Sequence, residues 1–142
     1  MRALLDVNVL IALLDADHTS HRAAWEWFSE LGNDGWASCP ITQNGCIRIL
    51  SHAGYPNARS VTEVVGRLRA ATAHAAHEFW PDNVSVMDAA LIDPTRVHGP
   101  KQLTDVYLLA LAVRNKGRLV TFDAGISLGA VSGAASRHLV QL

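Results

Sequence analysis

Short apolar runs alternate with stretches of helical periodicity from one end of the chain to the other. The run at residues 3–5 ends at Asp6, and the run at residues 119–121 stops at Asp123. Strands that alternate with helices over short connections are typical of βαβ units around a parallel sheet. The sequence therefore predicts an α/β fold in which two strands end at an aspartate.

The remaining elements follow from the same patterns. Strands are expected at residues 3–5, 36–39, 78–80, 119–121 and 139–142. An amphipathic helix is expected over residues 20–31, and further helices after the N-caps Asn8, Thr42, Ser60 and Thr104. Residues 84–103 mix helical and breaking signals and receive no assignment.

Length and composition limit the class of protein. The 142 residues are 49% hydrophobic and 18% charged, which predicts a single folded domain over residues 1–142 and excludes a disordered chain. The longest apolar run, at residues 106–113, is too short to span a bilayer, and no secretion signal is visible. Cys39 and Cys46 form no disulfide framework, so we expect two buried thiols in a reduced, cytoplasmic protein.

Several common kinds of site are absent from the sequence. The chain has no glycine-rich phosphate loop and no G-x-S-x-G nucleophile motif. The histidine pairs 18/21 and 74/77 could lie together on helices, but each lacks a third zinc ligand. The net charge of −1 gives no global attraction to nucleic acid. The four tryptophans, Trp25, Trp27, Trp36 and Trp80, are expected to pack in the core or an interface rather than to stack on bases.

The acidic residues at strand and helix ends suggest a metal site. In parallel α/β sheets, ligands bind outside the carboxyl ends of the strands where the strand order reverses. Asp6 and Asp123 meet there if their strands are neighbours, and Asp105 and Gln43 join them from helix N-termini. Each aspartate alone also suits a helix cap or a turn. Together they predict a site for Mg²⁺ or Mn²⁺ and for hydrolysis of a phosphoester.

Four segments of the chain, in this order, resemble the PIN-domain family and specifically VapC-type toxins. They read LLDVNVLIALL from residue 4, ITQNGCIRIL from residue 41, TDVYLLALA from residue 104 and LVTFDAG from residue 119. The resemblance implies a three-layer α/β/α fold around a five-stranded parallel sheet. It also implies a Mg²⁺- or Mn²⁺-dependent endoribonuclease acting on tRNA or rRNA, a homodimer, and inhibition by a cognate VapB-type antitoxin.

The resemblance also assigns roles to individual residues. Asp6, Asp105 and Asp123 match the acidic metal ligands, Asn8 and Thr121 match supporting positions, and Arg48 lies near Gln43 as a possible RNA contact. Gln43 itself departs from the family, whose members usually carry Glu at this position. An amide has no charge and cannot take a proton from water as a carboxylate does, so we expect weaker metal binding and slower cleavage.

Two other functions remain open from the sequence alone. Gln43 is also consistent with a catalytically silent PIN fold that binds RNA or an antitoxin. An aspartate after the first strand suggests a phosphatase of the haloacid dehalogenase type as well, although Asn8 stands where that chemistry requires a second aspartate.

Overall fold

The computed structural model describes every residue from Met1 to Leu142. The strands are β1 (Ala3–Leu5), β2 (Trp36–Ser38), β3 (His77–Phe79), β4 (Arg118–Thr121) and β5 (Leu139–Gln141). The α-helices are α1 (Val7–Leu14), α2 (His21–Ser29), α3 (Pro40–Leu50), α4 (Val61–Thr72) and α5 (Leu103–Arg114). None of these helices combines the length and the hydrophobicity needed to cross a membrane.

The five strands form one sheet in the order β3-β2-β1-β4-β5, and every neighbouring pair is parallel. The chain first builds outward from β1 to β3 and then returns to the other side of β1, so the strand order reverses between β1 and β4. Strand β1, which ends at Asp6, and strand β4, which ends near Asp123, are therefore adjacent, as the metal-site prediction requires.

The sheet separates two hydrophobic cores, and this gives the predicted three-layer α/β/α fold. Leu4 and Leu119 pack with α5 on one face, whereas Leu5 and Val120 pack with α1, α3 and α4 on the other. Alternate strand residues thus serve opposite faces, as the pleat of a strand dictates. Burial on both faces explains why β1 reads as a continuous apolar run.

Three predicted N-caps are wrong by two or three residues. Helix α1 is capped by Asp6 rather than Asn8, and the N-cap position of α5 is Gln102 rather than Thr104, without a capping side-chain hydrogen bond. Helix α3 is capped by Cys39, whose backbone N–H donates to the Thr42 hydroxyl at 3.0 Å. Proline is tolerated in the first turn because that turn's N–H groups have no partner inside the helix, so α3 can start at Pro40.

Smaller differences concern β3 and the unassigned segment. The third strand is His77–Phe79 rather than residues 78–80, so His77 is a strand residue and not the helical partner of His74. The segment at 84–103 forms turns and two short 3₁₀ helices, Pro94–Arg96 and Pro100–Gln102. Its Ile92 bridges to Val131 and packs in the core on the α5 face.

Other expectations are confirmed. Ser60 caps α4, with its hydroxyl accepting from the backbone N–H of Glu63 at 3.1 Å. Both cysteines are free and buried. The expectation for the tryptophans is confirmed for Trp36 and Trp80, which are core residues. Trp27 is half-buried, and Trp25 is not a core residue because 46% of its surface is exposed.

Candidate metal centre

Three carboxylates meet at the carboxyl end of the two central strands. Asp6 follows β1 directly, Asp123 lies two residues beyond β4, and Asp105 lies in the first turn of α5. One oxygen of each lies within 4.8 Å of the others. The convergence expected from the strand order is therefore present.

Asp6 is fixed by two hydrogen bonds. Its Oδ1 accepts from the backbone N–H of Val7 at 2.7 Å, which is the N-cap interaction of α1. Its Oδ2 accepts from the Thr121 hydroxyl at 2.6 Å. Only 5% of Asp6 is exposed, so these bonds compensate part of the cost of burying the carboxylate.

Thr121 joins the ends of β1 and β4 through its hydroxyl. This hydroxyl donates to Asp6 and accepts from Asn8 Nδ2 at 3.2 Å and from the backbone N–H of Asp123 at 3.0 Å. A hydroxyl has one proton and two lone pairs, so its capacity is fully used. Asn8 Oδ1 in turn accepts from the Phe122 N–H at 3.3 Å. Asn8 and Thr121 therefore hold the two strand-end aspartates in place, although Asn8 does not cap α1.

Asp105 is held differently, because its half-buried carboxylate makes no hydrogen bond within the protein. Burial, with the nearby charges of Asp6 and Asp123, raises the pKa of Asp105 to about 6. Burial also raises the pKa of Asp6, against the effect of its bonds to Thr121 and Val7. No arginine or lysine forms an ion pair with any of the three acids. The cluster is therefore a concentration of negative charge that no side chain neutralises.

A small divalent cation fits this set of donors. Mg²⁺ and Mn²⁺ prefer carboxylate oxygens, and ligand oxygens around an octahedral Mg²⁺ lie up to about 4.2 Å apart. The three carboxylate oxygens lie within 4.8 Å of one another, which is close to that span. A cation here would also offset the burial and the repulsion by Asp6 and Asp123 that raise the pKa of Asp105.

Gln43 lies in the first turns of α3 and is half-buried. Its Nε2 donates to the Ser38 hydroxyl at 2.9 Å, and Ser38 Oγ lies 2.8 Å from His77 Nε2. The structure shows no hydrogen bond between Gln43 and the three acids. Ser38 and His77 were not predicted as site residues, because the pairing of β2 with β3 that joins them is not visible in local sequence patterns.

Gln102 is a second residue that the sequence did not indicate. Its Nε2 donates to the carbonyl of Gly125 at 3.0 Å, which ties the start of α5 to the loop after β4. Its Oε1 is buried and has no partner. This side chain thus links the segment that carries Asp105 to the one that carries Asp123, and only its N-cap position could have signalled it.

Two cavities lie outside the acidic cluster. Arg48 is exposed on α3, beside a shallow cavity of about 310 Å³ that His52 and Tyr55 also line. A larger, mainly apolar cavity of about 420 Å³ lies between α1, α2 and α4, where Leu10, Phe28 and Leu68 are among its walls. The exposed Trp25 also lines this second cavity.

Comparison with known proteins points to a single family. The model of the PIN domain matches residues 3–130. Ribonuclease VapC44 of Mycobacterium tuberculosis is 54% identical over 142 residues, which cover the full length of both chains. Ribonuclease VapC39 of the same species is 42% identical over 134 residues, covering 94% of this chain and 96% of its own. Ribonuclease VapC38 is 41% identical over 125 residues, 87% of this chain and 86% of its own.

Proposed function

This chain belongs to the PIN-domain family as a VapC-type endoribonuclease toxin, and from that premise we propose that it cleaves RNA with a Mg²⁺ or Mn²⁺ ion held by Asp6, Asp105 and Asp123. One observation carries the proposal: three carboxylates lie within 4.8 Å of one another with no neutralising side chain. We further propose that residues 1–142 form one PIN domain, because both cores share one sheet.

The metal, when bound, would activate water and stabilise negative charge on the phosphodiester. The protein's own contribution is to hold the ligands in advance. Asp6 and Asp123 are fixed through the Thr121 hydroxyl, with Asn8 supporting both. Asp105 retains a proton up to a pH near 6, so we expect metal binding and activity to rise as the pH passes through that value.

Gln43 would act on the attacking water rather than on the metal. Because its Nε2 is bound to Ser38, its carbonyl oxygen is the free end of the side chain. That oxygen accepts a hydrogen bond but cannot take up a proton at neutral pH. We therefore propose that Gln43 orients the water and that activity is lower than a Glu at this position would give.

The substrate proposed is structured RNA, tRNA or rRNA, and we propose a cytoplasmic location to match. The overall charge of −1 does not attract RNA, so phosphate contacts must be local. Arg48 is exposed on the same helix as Gln43 and suits such a contact, because a guanidinium binds phosphate through two parallel hydrogen bonds. Arg48→Ala should therefore weaken RNA binding more than it lowers the rate of the bound complex.

The proposed protein partners are a VapB-type antitoxin and a second copy of the chain. The apolar cavity lined by Trp25, Phe28 and Leu68 offers the kind of exposed groove that an apolar antitoxin segment would cover. An antitoxin arginine would pair with the surplus negative charge of the acidic cluster. Trp25→Ala should then weaken antitoxin binding without changing RNA cleavage, and sedimentation should report a homodimer.

A catalytically silent binding module is the second candidate, and Gln43 is the observation that favours it. Cleavage of a total tRNA pool separates the two. The native protein and Gln43→Glu are each assayed with Mg²⁺, with Mn²⁺ and with chelator, and Asp6→Asn serves as the inactive control. We expect metal-dependent cleavage by both proteins, faster with Gln43→Glu, and none by Asp6→Asn.

Other outcomes would change the conclusion. If neither protein cleaves any RNA with Mn²⁺, but both bind RNA in the presence of chelator, the chain is a binding module. If Asp6→Asn cleaves at the native rate, the acidic cluster is not the active site. Circular dichroism of Asp6→Asn confirms that the variant is folded.

A further inference from the structure

The hydrogen bonds that join Gln43, Ser38 and His77 have a defined order of donors and acceptors. Ser38 is fully buried, and its hydroxyl has just these two side-chain partners. The Gln43 amide nitrogen donates to Ser38 Oγ and has no lone pair with which to accept a proton in return. The Ser38 proton therefore goes to His77 Nε2. The order of donation is Gln43 to Ser38 to His77, with a neutral imidazole as the final acceptor.

The surroundings of His77 favour this neutral ring. Its ring packs against Trp36 at an interplanar angle of 58°, with the centroids 4.4 Å apart. Burial is the main cause that lowers the pKa of His77, and Arg2 lowers it further. Glu78 and the backbone of Thr72 act in the opposite direction without reversing the shift. A neutral imidazole leaves Nε2 free to accept the Ser38 proton.

We propose that His77 and Ser38 are positioning residues that keep the amide nitrogen of Gln43 turned inward, so that its carbonyl oxygen is presented to water and substrate. This inference rests on the proposed ribonuclease function. If the amide turned around, it would offer N–H donors to the attacking water, which needs an acceptor to be oriented for attack. His77 would thus act through Ser38 and Gln43, by fixing which end of the Gln43 amide faces the water and substrate.

Kinetics of a double-mutant cycle tests the proposal. His77→Phe keeps an aromatic ring against Trp36 but removes the acceptor for Ser38. We expect His77→Phe to lower kcat for RNA cleavage about tenfold while KM changes about twofold or less, since one orienting hydrogen bond is lost. In the Gln43→Ala background the same change should have no further effect on kcat. His98→Phe, at an exposed histidine that takes no part in this contact, serves as the matched control and should leave the rate unchanged.

A spectroscopic measurement makes the test independent of activity. The carboxylate introduced by Gln43→Glu can only accept, so the Ser38 proton would turn toward it and Ser38 Oγ would then accept from His77. NMR titration should show the pKa of His77 rising by about one unit in Gln43→Glu. In the Ser38→Ala background the hydroxyl that connects residue 43 to His77 is gone. The rise in the pKa of His77 caused by Gln43→Glu should then be smaller, because only the added negative charge contributes to it.

The outcomes separate this inference from the proposed function. Equal losses of kcat from His77→Phe in the native and Gln43→Ala backgrounds would overturn it, because the histidine would then act only on the general structure. An equal rise in the pKa of His77 with and without Ser38 would overturn it as well. If the protein cleaves no RNA, the proposed function fails, and the titration still decides whether His77 and Ser38 orient Gln43.

Discussion

Asp6 and Asp105 belong to the same acidic cluster, but the protein holds them in opposite ways. Asp6 is buried and accepts two hydrogen bonds, one from the start of its own helix and one from Thr121 on the neighbouring strand. Asp105 accepts none and is positioned only by the first turn of α5. The strand side of the site is thus preorganised by hydrogen bonds, whereas the helix side depends on the cation to balance its charge.

The largest loss of stability should come from removing the Thr121 hydroxyl, which holds the strand side of the site together. Thr121→Val keeps the shape of the side chain but leaves Asp6 Oδ2, Asn8 Nδ2 and the Asp123 N–H without their shared partner. Unsatisfied buried groups of this kind cost about 3 kcal/mol of unfolding free energy in total. Urea denaturation measures the loss.

Thr121→Ser is the matched control, because it retains the hydroxyl and removes one methyl group. It should cost only about 1 kcal/mol. Equal losses for the two variants would mean that packing of the methyl group, rather than the hydroxyl, makes Thr121 important.

The effect of Asp105, on the helix side of the site, should be visible in how the stability of the metal-free protein depends on pH. Unfolded Asp105 titrates near its ordinary pKa of 3.8, whereas in the fold its pKa is about 6. Between these values the native state retains a proton that the unfolded state has lost, so the free energy of unfolding falls as the pH rises from about 4 to about 6. Because Asp105 is only half-buried, solvent screening reduces the expected fall to about 1 kcal/mol.

Thermal unfolding in chelator checks this trend. Asp105→Asn should flatten the pH profile and raise the stability of the metal-free protein at pH 7. Adding Mn²⁺ should stabilise the native protein at pH 7 more than the variant. A profile that rises from pH 4 to 6 in the native protein would contradict the raised pKa of Asp105.

The smallest effect on stability and on metal affinity should come from removing the side chain that links the two sides, Gln102. Gln102→Ala removes the hydrogen bond to Gly125 that connects the Asp105 segment to the Asp123 loop. The unfolding free energy should change by about 0.5 kcal/mol or less, while the affinity for Mn²⁺ falls about threefold. Gln141→Ala, at an exposed glutamine of β5, is the matched control and should leave metal binding unchanged. An unchanged affinity in Gln102→Ala would show that the two sides are positioned independently.

The sequence predicted the parts of this site that local patterns encode. Asp6 follows a short apolar run predicted as a buried strand, and Asp105 lies at the start of a predicted helix, so their places at the sheet edge could be inferred. The helix N-caps were harder to predict. Asn8 and Thr42 are good capping residues, but Asp6 and Cys39 lie closer to the preceding strand ends, and tertiary contacts engage Asn8 with Thr121 instead.

The rest of the site depends on contacts between distant residues. The Thr121 hydroxyl reaches Asp6 and Asn8 near the other end of the chain, and these two contacts follow from the pairing of β1 with β4. The link from Gln43 to His77 requires the register of β2 against β3, and a one-residue shift of β3 would move that histidine away from Ser38. A sequence that shows short strands does not fix their register to one residue.

Binding of Mn²⁺ at pH 7, measured by titration calorimetry on the native protein and on Asp105→Asn, tests the central claim most directly. If three aspartates hold the ion, the native protein binds Mn²⁺ and the substitution, which removes one charge and preserves the side-chain shape, weakens that binding about tenfold or more. Equal affinities of the two proteins would contradict the claim that Asp105 completes the metal site.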